Sequence, residues 1–175
     1  MQKVKLIDFF GISASLQDDK INFAEAELND IDALPFVSRT ARNNGITGYC
    51  LPKPGKRNAP RVLTLALDGS TGATFYQHHE FLSGQNIWVF TPKQDKIPDL
   101  HPRIALFLVT TIRKAVTAYS YNLSLTKTRL QNIMINLPLD VKGNLDVQEV
   151  ERLMRGVRHV ELLDELPEER YQILT

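Results

Sequence analysis

The sequence predicts a single α+β domain that is rich in strands in its middle and helical towards its C-terminus. Three observations support this fold class. Short apolar segments alternate with turn signals between residues 34 and 90, and one long amphipathic pattern begins at Pro102. The chain has 175 residues, of which 43% are hydrophobic, and this fits one domain with one core.

The predicted strands are short and closely spaced. The N-terminal segment KVKLIDFFGIS predicts a strand or a short entry element that ends at Gly11, and residues 21–33 are polar enough to lie on the surface. Further strands are indicated by LPFVS, RVLTLAL, ATFYQ and NIWVF, with DGSTG as a turn and LPKPGKRNAPR as a loop.

The clearest helix is predicted near residues 102–120, because proline suits the first helical turn. Its apolar stripe consists of Ile104, Leu108, Ile112, Ala115, Val116 and Tyr119. Residues 132–139 then indicate a strand, VKGN a turn, and Asp146 the cap of a short last helix that reaches about Val160.

Composition excludes several classes of protein. The lone cysteine, Cys50, rules out an internal disulfide and fits a reducing cytoplasm. The first apolar run is too brief for a signal peptide, and no run approaches the ~20 residues that cross a bilayer. The sequence therefore predicts a cytoplasmic protein with no membrane partner.

Motifs for catalysis are missing. The sequence has no P-loop, no dinucleotide fingerprint and no Gly-x-Ser-x-Gly elbow. The four histidines do not fall at metal-ligand spacings, and nothing near Cys50 in the sequence would activate its thiol. We therefore predict no catalytic residue, no metal and no cofactor; an enzyme that uses His78 or His79 is the weakest of the alternatives.

Charge is distributed unevenly although the net charge is only +1. Two stretches, residues 36–67 and residues 100–139, contain no aspartate or glutamate. Their basic residues are Arg39, Arg42, Lys53, Lys56, Arg57, Arg61, Arg103, Arg113, Lys114, Lys127 and Arg129. If these two acid-free stretches lie side by side, they form a basic face suited to a polyanion. The alternative is that the stretches do not converge in space.

The segment SRTARNNG carries side chains that can read base edges. Arginine donates two parallel hydrogen bonds to guanine, asparagine pairs with adenine, and hydroxyls reach bases or phosphates. We predict base contacts from Ser38, Arg39, Thr40, Arg42, Asn43 and Asn44, with Ser70 and Thr71 as second choice. The alternative is that Asn43-Asn44-Gly45 is only a turn that needs positive φ.

A second group is predicted to hold phosphates, which requires only charge, hydrogen-bond donors and reach. Its members are Lys53, Lys56, Arg57, Arg61, Gln77 and His78. Gln77 and His78 belong to it only if the hairpin after DGSTG lies near nucleic acid; an ordinary surface hairpin is the alternative.

Three segments in order resemble a known family. LIDFFGISAS, DIDALPFVSRTARNNGITGYC and LTLALDGSTGATFYQHHEFLSGQNIWVF resemble the target-recognition domain of restriction-modification specificity subunits, the type I specificity-subunit family and the related module of fused enzymes. The resemblance covers nearly the whole chain. It implies a domain that grips double-stranded DNA, reads half of a bipartite target, and brings DNA methyltransferase and endonuclease subunits to it without catalytic residues of its own.

The chain departs from the family in one respect. Type I specificity subunits usually carry two such domains separated by long helices, whereas the last helix here is too short to be a spacer. We expect residues 1–145 to be the recognition domain and residues 146–175 a truncated spacer or partner-docking segment. The chain is then a half-size subunit that acts as a homodimer, a separately encoded recognition chain, or a piece of a larger enzyme. The competing hypothesis is a protein-interaction module that binds modification subunits without productive DNA binding.

Overall fold

The computed structural model describes residues 1–119 and 124–164, which form ten strands and four α-helices. The strands are β1 (Gln2–Lys5), β2 (Phe10–Ala14), β3 (Glu25–Ala26), β4 (Leu34–Val37), β5 (Ile46–Cys50), β6 (Val62–Ala66), β7 (Thr74–Gln77), β8 (Leu82–Ser83), β9 (Ile87–Pro92) and β10 (Met134–Leu137). The helices are α1 (Leu6–Phe9), α2 (Pro102–Val116), α3 (Lys127–Gln131) and α4 (Val147–Met154). The predicted α+β class is confirmed.

Two four-stranded sheets make up the middle of the molecule. One is antiparallel throughout, in the order β2-β9-β6-β7. The other has the order β3-β5-β4-β8, with β4 and β8 parallel. A separate antiparallel pair joins β1 to β10.

Strand β6 is buried at all five positions because both faces of its sheet are covered. Side chains alternate between the faces of a strand, so Leu63 and Leu65 join the main core, which includes α2. Val62 and Ala66 point the other way and pack with Val37 of the second sheet. The first sheet is therefore the central layer, and the second sheet covers one of its faces.

Helix α2 confirms the predicted amphipathic pattern. It begins at Pro102, and Ile104, Leu108, Ile112 and Val116 are all at most 2% exposed. Its stripe fills the main core against the first sheet.

Helix α4 begins where the sequence predicts and ends earlier. Asp146 Oδ1 accepts a hydrogen bond of 3.0 Å from the backbone N–H of Glu149, as expected of an N-cap. The helix stops at Met154 rather than near Val160. Val150 and Met154 pack into the same core as α2, so the core is continuous across residues 145 and 146.

One local prediction is wrong. The expected single element at the N-terminus is two strands separated by α1, because Leu6 and Phe9 lie three residues apart and both enter the core. The segment ITGYC, for which the sequence patterns indicated no element, forms β5, because it pairs with β3 and β4 in the second sheet. Within the parts of the chain that are described, no helix is long and apolar enough to cross a membrane.

Candidate nucleic-acid interface

The loop of residues 38–45 is a tightly closed turn. Asn43, Asn44 and Gly45 have φ values of 45°, 52° and 81°, a left-handed conformation that asparagine and glycine tolerate best. The backbone N–H of Ser38 donates to the carbonyl of Gly45 at 2.8 Å and closes the loop. The turn interpretation of Asn-Asn-Gly is thus correct for the backbone. The backbone hydrogen bond that closes the loop fixes the positions from which its side chains project.

The two asparagine side chains are exposed and also help to hold the loop. Asn43 Nδ2 donates to the carbonyl of Ile46 at 3.2 Å, and Asn44 Nδ2 donates to the carbonyl of Tyr76 at 2.9 Å. An amide has two N–H donors and one acceptor oxygen. Each asparagine therefore keeps one donor and its oxygen, which is the set that an adenine edge requires.

The 38–45 loop meets the turn of residues 68–72, about thirty positions later in the chain. The backbone N–H of Ser70 donates to the carbonyl of Arg39 at 3.1 Å. Arg39 Nη1 lies 3.0 Å from both carboxylate oxygens of Asp68. The first-choice and second-choice residues that were predicted to contact bases thus meet on one surface.

A recess of about 520 Å³ opens beside this junction. It lies between Ala41 of the loop, the 68–72 turn with Ser70 and Thr71, and the end of α2 at Val116 and Thr117. Ser70 and Thr71 are half-buried in its wall. Of the residues predicted to contact bases, Ser70 and Thr71 therefore line a concave surface beside the 38–45 loop.

Arg113 lies between this recess and a second one. Its Nε and Nη2 donate to the carbonyl of Thr74 at 2.9 Å and 2.5 Å, and its guanidinium carbon is 4.7 Å from the centre of the Phe75 ring. Burial lowers the pKa of Arg113, although a guanidinium remains charged near neutral pH. The second recess, of about 640 Å³, is largely apolar and includes Ile46, Leu106 and Leu163 in its lining.

The two acid-free stretches approach each other around Phe75. A β-carbon at Gly45, in the first stretch, would be 3.3 Å from this ring, and Arg113 of the second stretch lies over it. The sequence-based prediction did not single out Arg113 as a site residue. The signal in the sequence that could have identified Arg113 is its position off the apolar stripe of α2.

The predicted phosphate-holding residues Lys53, Arg57 and Arg61 are exposed, and Lys56 is half-buried. Lys56 Nζ donates to the carbonyl of Gln17 at 2.8 Å. The side chain of Gln17 accepts from the backbone N–H of Asn86 at 2.8 Å, and Asn86 Nδ2 donates to Asp68 at 2.8 Å. A continuous chain of contacts thus links Lys56 to Arg39.

Acidic residues from other segments pair with several of these cations. Arg39 faces Asp68, Lys56 lies 3.8 Å from Asp18, and Arg57 lies 3.3 Å from Glu80. Arg103, in the second acid-free stretch, pairs with Glu151 and Asp164 near the acidic C-terminal end. The surface is therefore less basic than the acid-free stretches predict, because strand pairing brings in carboxylates that are distant in sequence.

The pair between Arg57 and Glu80 is exposed on both sides. An exposed ion pair contributes only about 0–1 kcal/mol, so this carboxylate holds Arg57 weakly against a competing anion. Arg42 is exposed, and no acidic side chain within residues 1–119 and 124–164 pairs with it.

Gln77 is a correction to the predicted site. Its side chain is 3% exposed, and Nε2 donates to Thr64 Oγ1 at 3.1 Å and to the carbonyl of Asn44 at 3.2 Å. A side chain buried between the sheets cannot reach a phosphate. Gln77 instead supports the 38–45 loop through its hydrogen bond to the Asn44 carbonyl.

His78 is half-buried beside Tyr76. The Tyr76 hydroxyl donates to the carbonyl of Leu100 at 2.9 Å and lies 3.2 Å from His78 Nδ1. The hydroxyl therefore accepts from Nδ1–H, which directs Nε2 of His78 away from Tyr76. The described residues contain no group of three or more His, Cys, Asp or Glu side chains placed to hold a metal ion.

The chain is similar to known proteins both in sequence and in fold. The family described as "Type I restriction modification DNA specificity domain" matches residues 1–169. A type II restriction enzyme specificity subunit, S.BcgI of Heyndrickxia coagulans, is 25% identical over 115 residues, which are 66% of this chain and 32% of that protein.

Two solved structures share the fold. The HsdS subunit from Thermoanaerobacter tengcongensis has a TM-score of 0.62 at 16% identity, covering 99% of this chain and 40% of that one. The S subunit of a type I restriction-modification system from M. genitalium has a TM-score of 0.62 at 12% identity, covering 98% and 42%. The chain thus spans a third to two fifths of the length of these relatives.

Proposed function

Because the chain belongs to the type I restriction modification DNA specificity domain family, we propose that it recognises a double-stranded DNA sequence in the cytoplasm for a restriction-modification system. The observation that carries the proposal is the junction of the 38–45 loop with the 68–72 turn at one recess. It gathers guanidinium, amide and hydroxyl donors on a fixed backbone, as base readout requires. The match over residues 1–169 also confirms the family resemblance noted in the sequence.

Two groups of residues divide the work in this proposal. The groups that read base edges are Ser38, Arg39, Thr40, Arg42, Asn43 and Asn44, with Ser70 and Thr71 at the rim of the recess. The groups that hold phosphates are Lys53, Lys56, Arg57, Arg61 and His78. The contact chain from Arg39 through Asp68, Asn86 and Gln17 to Lys56 supports one footprint for both groups.

Selection from a random duplex library tests the proposal directly. The full chain is expected to enrich a motif of a few base pairs, and its affinity is expected to fall with increasing salt. Recovery of the library with no enrichment at any position would contradict sequence recognition. The enriched motif, if split or palindromic, also reports whether two copies act as a pair.

Methyltransferase and endonuclease partners are part of the proposal, as is the absence of a catalytic residue in this chain. We assign residues 1–145 to DNA recognition and residues 146–175 to partner docking. Helix α4 turns Val150 and Met154 into the core, whereas Leu153 and Val157 are 39% and 42% exposed. These outward apolar residues are available to a partner.

A second candidate function is a protein-interaction module without productive DNA binding. The largely apolar recess of about 640 Å³ and the pairing of Arg39, Lys56 and Arg57 with acids favour it. Gel filtration with a modification subunit, beside a DNA mobility-shift assay, separates the two functions. Binding of the subunit but of no duplex would select the second.

A further inference from the structure

Asp68 is the acidic member of the junction between the 38–45 loop and the 68–72 turn. We infer that Asp68 is a positioning residue that determines specificity: it holds the Arg39 guanidinium for a base edge and disfavours contact between Arg39 and phosphate. The inference rests on the proposed function, and it adds a residue that neither the basic pattern nor the family resemblance marks.

The first step concerns which edge of Arg39 is held. Nη1 lies 3.0 Å from both Asp68 oxygens, whereas Nε and Nη2 have no acceptor among residues 1–119 and 124–164. Nε and Nη2 form one side of the planar guanidinium and carry two parallel N–H donors. That side is the one left to pair with O6 and N7 of a guanine.

The second step concerns how firmly Asp68 is fixed. Its Oδ2 also accepts from Asn86 Nδ2 at 2.8 Å. Two backbone hydrogen bonds hold Asn86 in place. Its N–H donates to Gln17 Oε1 at 2.8 Å, and its carbonyl accepts from the backbone N–H of Leu67 at 3.0 Å. A guanidinium held by a fixed carboxylate loses less conformational freedom when it meets its base.

The third step is electrostatic. A phosphate that approaches Arg39 also meets the negative charge of Asp68, whereas a neutral base edge does not. The carboxylate therefore biases Arg39 towards bases. Removal of the charge should increase the affinity for any duplex and decrease the preference for the correct one, which a purely structural role would not produce.

Asp68→Asn is the test, because it keeps the shape and one acceptor oxygen while removing the charge. The ratio of affinities for the selected motif and for a scrambled duplex is expected to fall roughly threefold to tenfold. Affinity for scrambled DNA is expected to rise, and the salt dependence to steepen by about one phosphate contact. In an Arg39→Ala background, Asp68→Asn should leave the affinity ratio unchanged.

Glu80→Gln is the matched control. It removes the acid from the exposed pair between Arg57 and Glu80, at 3.3 Å, in which the arginine is assigned to phosphate. This variant should increase affinity for all duplexes alike and leave the ratio as in the wild type. A second variant, Asn86→Gly, keeps the left-handed backbone (φ 59°) and removes only the support of Asp68, so it should lower the ratio in the same direction.

The outcomes distinguish the inference from the function beneath it. If the wild type selects a motif and both Asp68→Asn and Asn86→Gly keep its full preference, the inference is wrong and the proposed function stands. A change of preference by Asp68→Asn in the Arg39→Ala background would also overturn it, because Asp68 would not then act through Arg39. If the wild type selects no motif, both fall together.

Discussion

A β-carbon on Gly69 would lie 2.9 Å from the carbonyl oxygen of Arg39, closer than real β-carbons approach a backbone atom. Gly69 also has a φ of +65°, which side chains rarely adopt. Glycine at this position is what allows the 38–45 loop and the 68–72 turn to touch. The junction that carries the proposed function therefore depends on a residue with no side chain.

Gly69→Ala should separate the two loops. The left-handed backbone costs about 1 kcal/mol, and displacement of the loop about 1–3 kcal/mol more. Gly55→Ala is the control, since Gly55 has a φ of +71° but no atom within 4 Å of the added carbon. Chemical denaturation should show the larger loss of stability for Gly69→Ala; equal losses would mean that the close approach carries no strain.

Arg42→Ala should lower the preference for the selected motif over scrambled DNA. Arg42 belongs to the 38–45 loop and is exposed, and no acidic residue of the described chain pairs with it. The loss on the selected motif should be about 1–3 kcal/mol, with little loss on scrambled DNA. Binding isotherms on both duplexes measure it.

Lys53→Ala provides the contrasting variant. Lys53 is assigned to phosphate, so Lys53→Ala should weaken binding to both duplexes alike. The slope of affinity against salt concentration should fall by the equivalent of about one phosphate contact. If Arg42→Ala and Lys53→Ala have the same effect on every duplex, the assignment of Arg42 to bases is wrong.

Local sequence patterns predicted the elements that local physics determines. Strand β6 is an apolar run, α2 has a proline start and a stripe at helical spacing, and Asp146 is an N-cap; all three are in the structure. Asn43-Asn44-Gly45 likewise adopts the positive φ values that its residue types favour. In each case, the pattern that identifies the element lies within a few neighbouring positions.

Features set by pairing between distant segments could not be predicted in this way. Asp68 reaches Arg39, and Glu80 reaches Arg57, only because of the order of strands in the sheets. Gln77 is a polar residue at the end of β7 and has the appearance of a surface residue, yet it faces Thr64 between the sheets. Charge counted along the chain overestimated the basic surface for the same reason.

Gln77→Ala tests the structural role that replaces the predicted phosphate contact. It removes a buried hydrogen bond to the Thr64 hydroxyl and a half-buried one to the Asn44 carbonyl, at a cost of about 1–3 kcal/mol in stability. The salt dependence of DNA binding should not change. Arg57→Ala should do the reverse: lower the salt dependence while leaving the melting temperature nearly unchanged. A flattened salt dependence in Gln77→Ala, at temperatures where it is folded, would restore Gln77 to the phosphate group.

Two neighbouring residues on α4 separate its structural role from its proposed docking role. Met154 is 4% exposed and packs in the main core, so Met154→Ala should cost about 2–5 kcal/mol in unfolding experiments. Leu153 is 39% exposed, so Leu153→Ser should leave the stability and the DNA affinity close to those of the wild type. It should nevertheless weaken association with a modification subunit in gel filtration, since the apolar contact would be lost from the interface. Unchanged association in Leu153→Ser, with the protein folded, would remove this face of α4 from the docking surface and leave the helix as a part of the core alone.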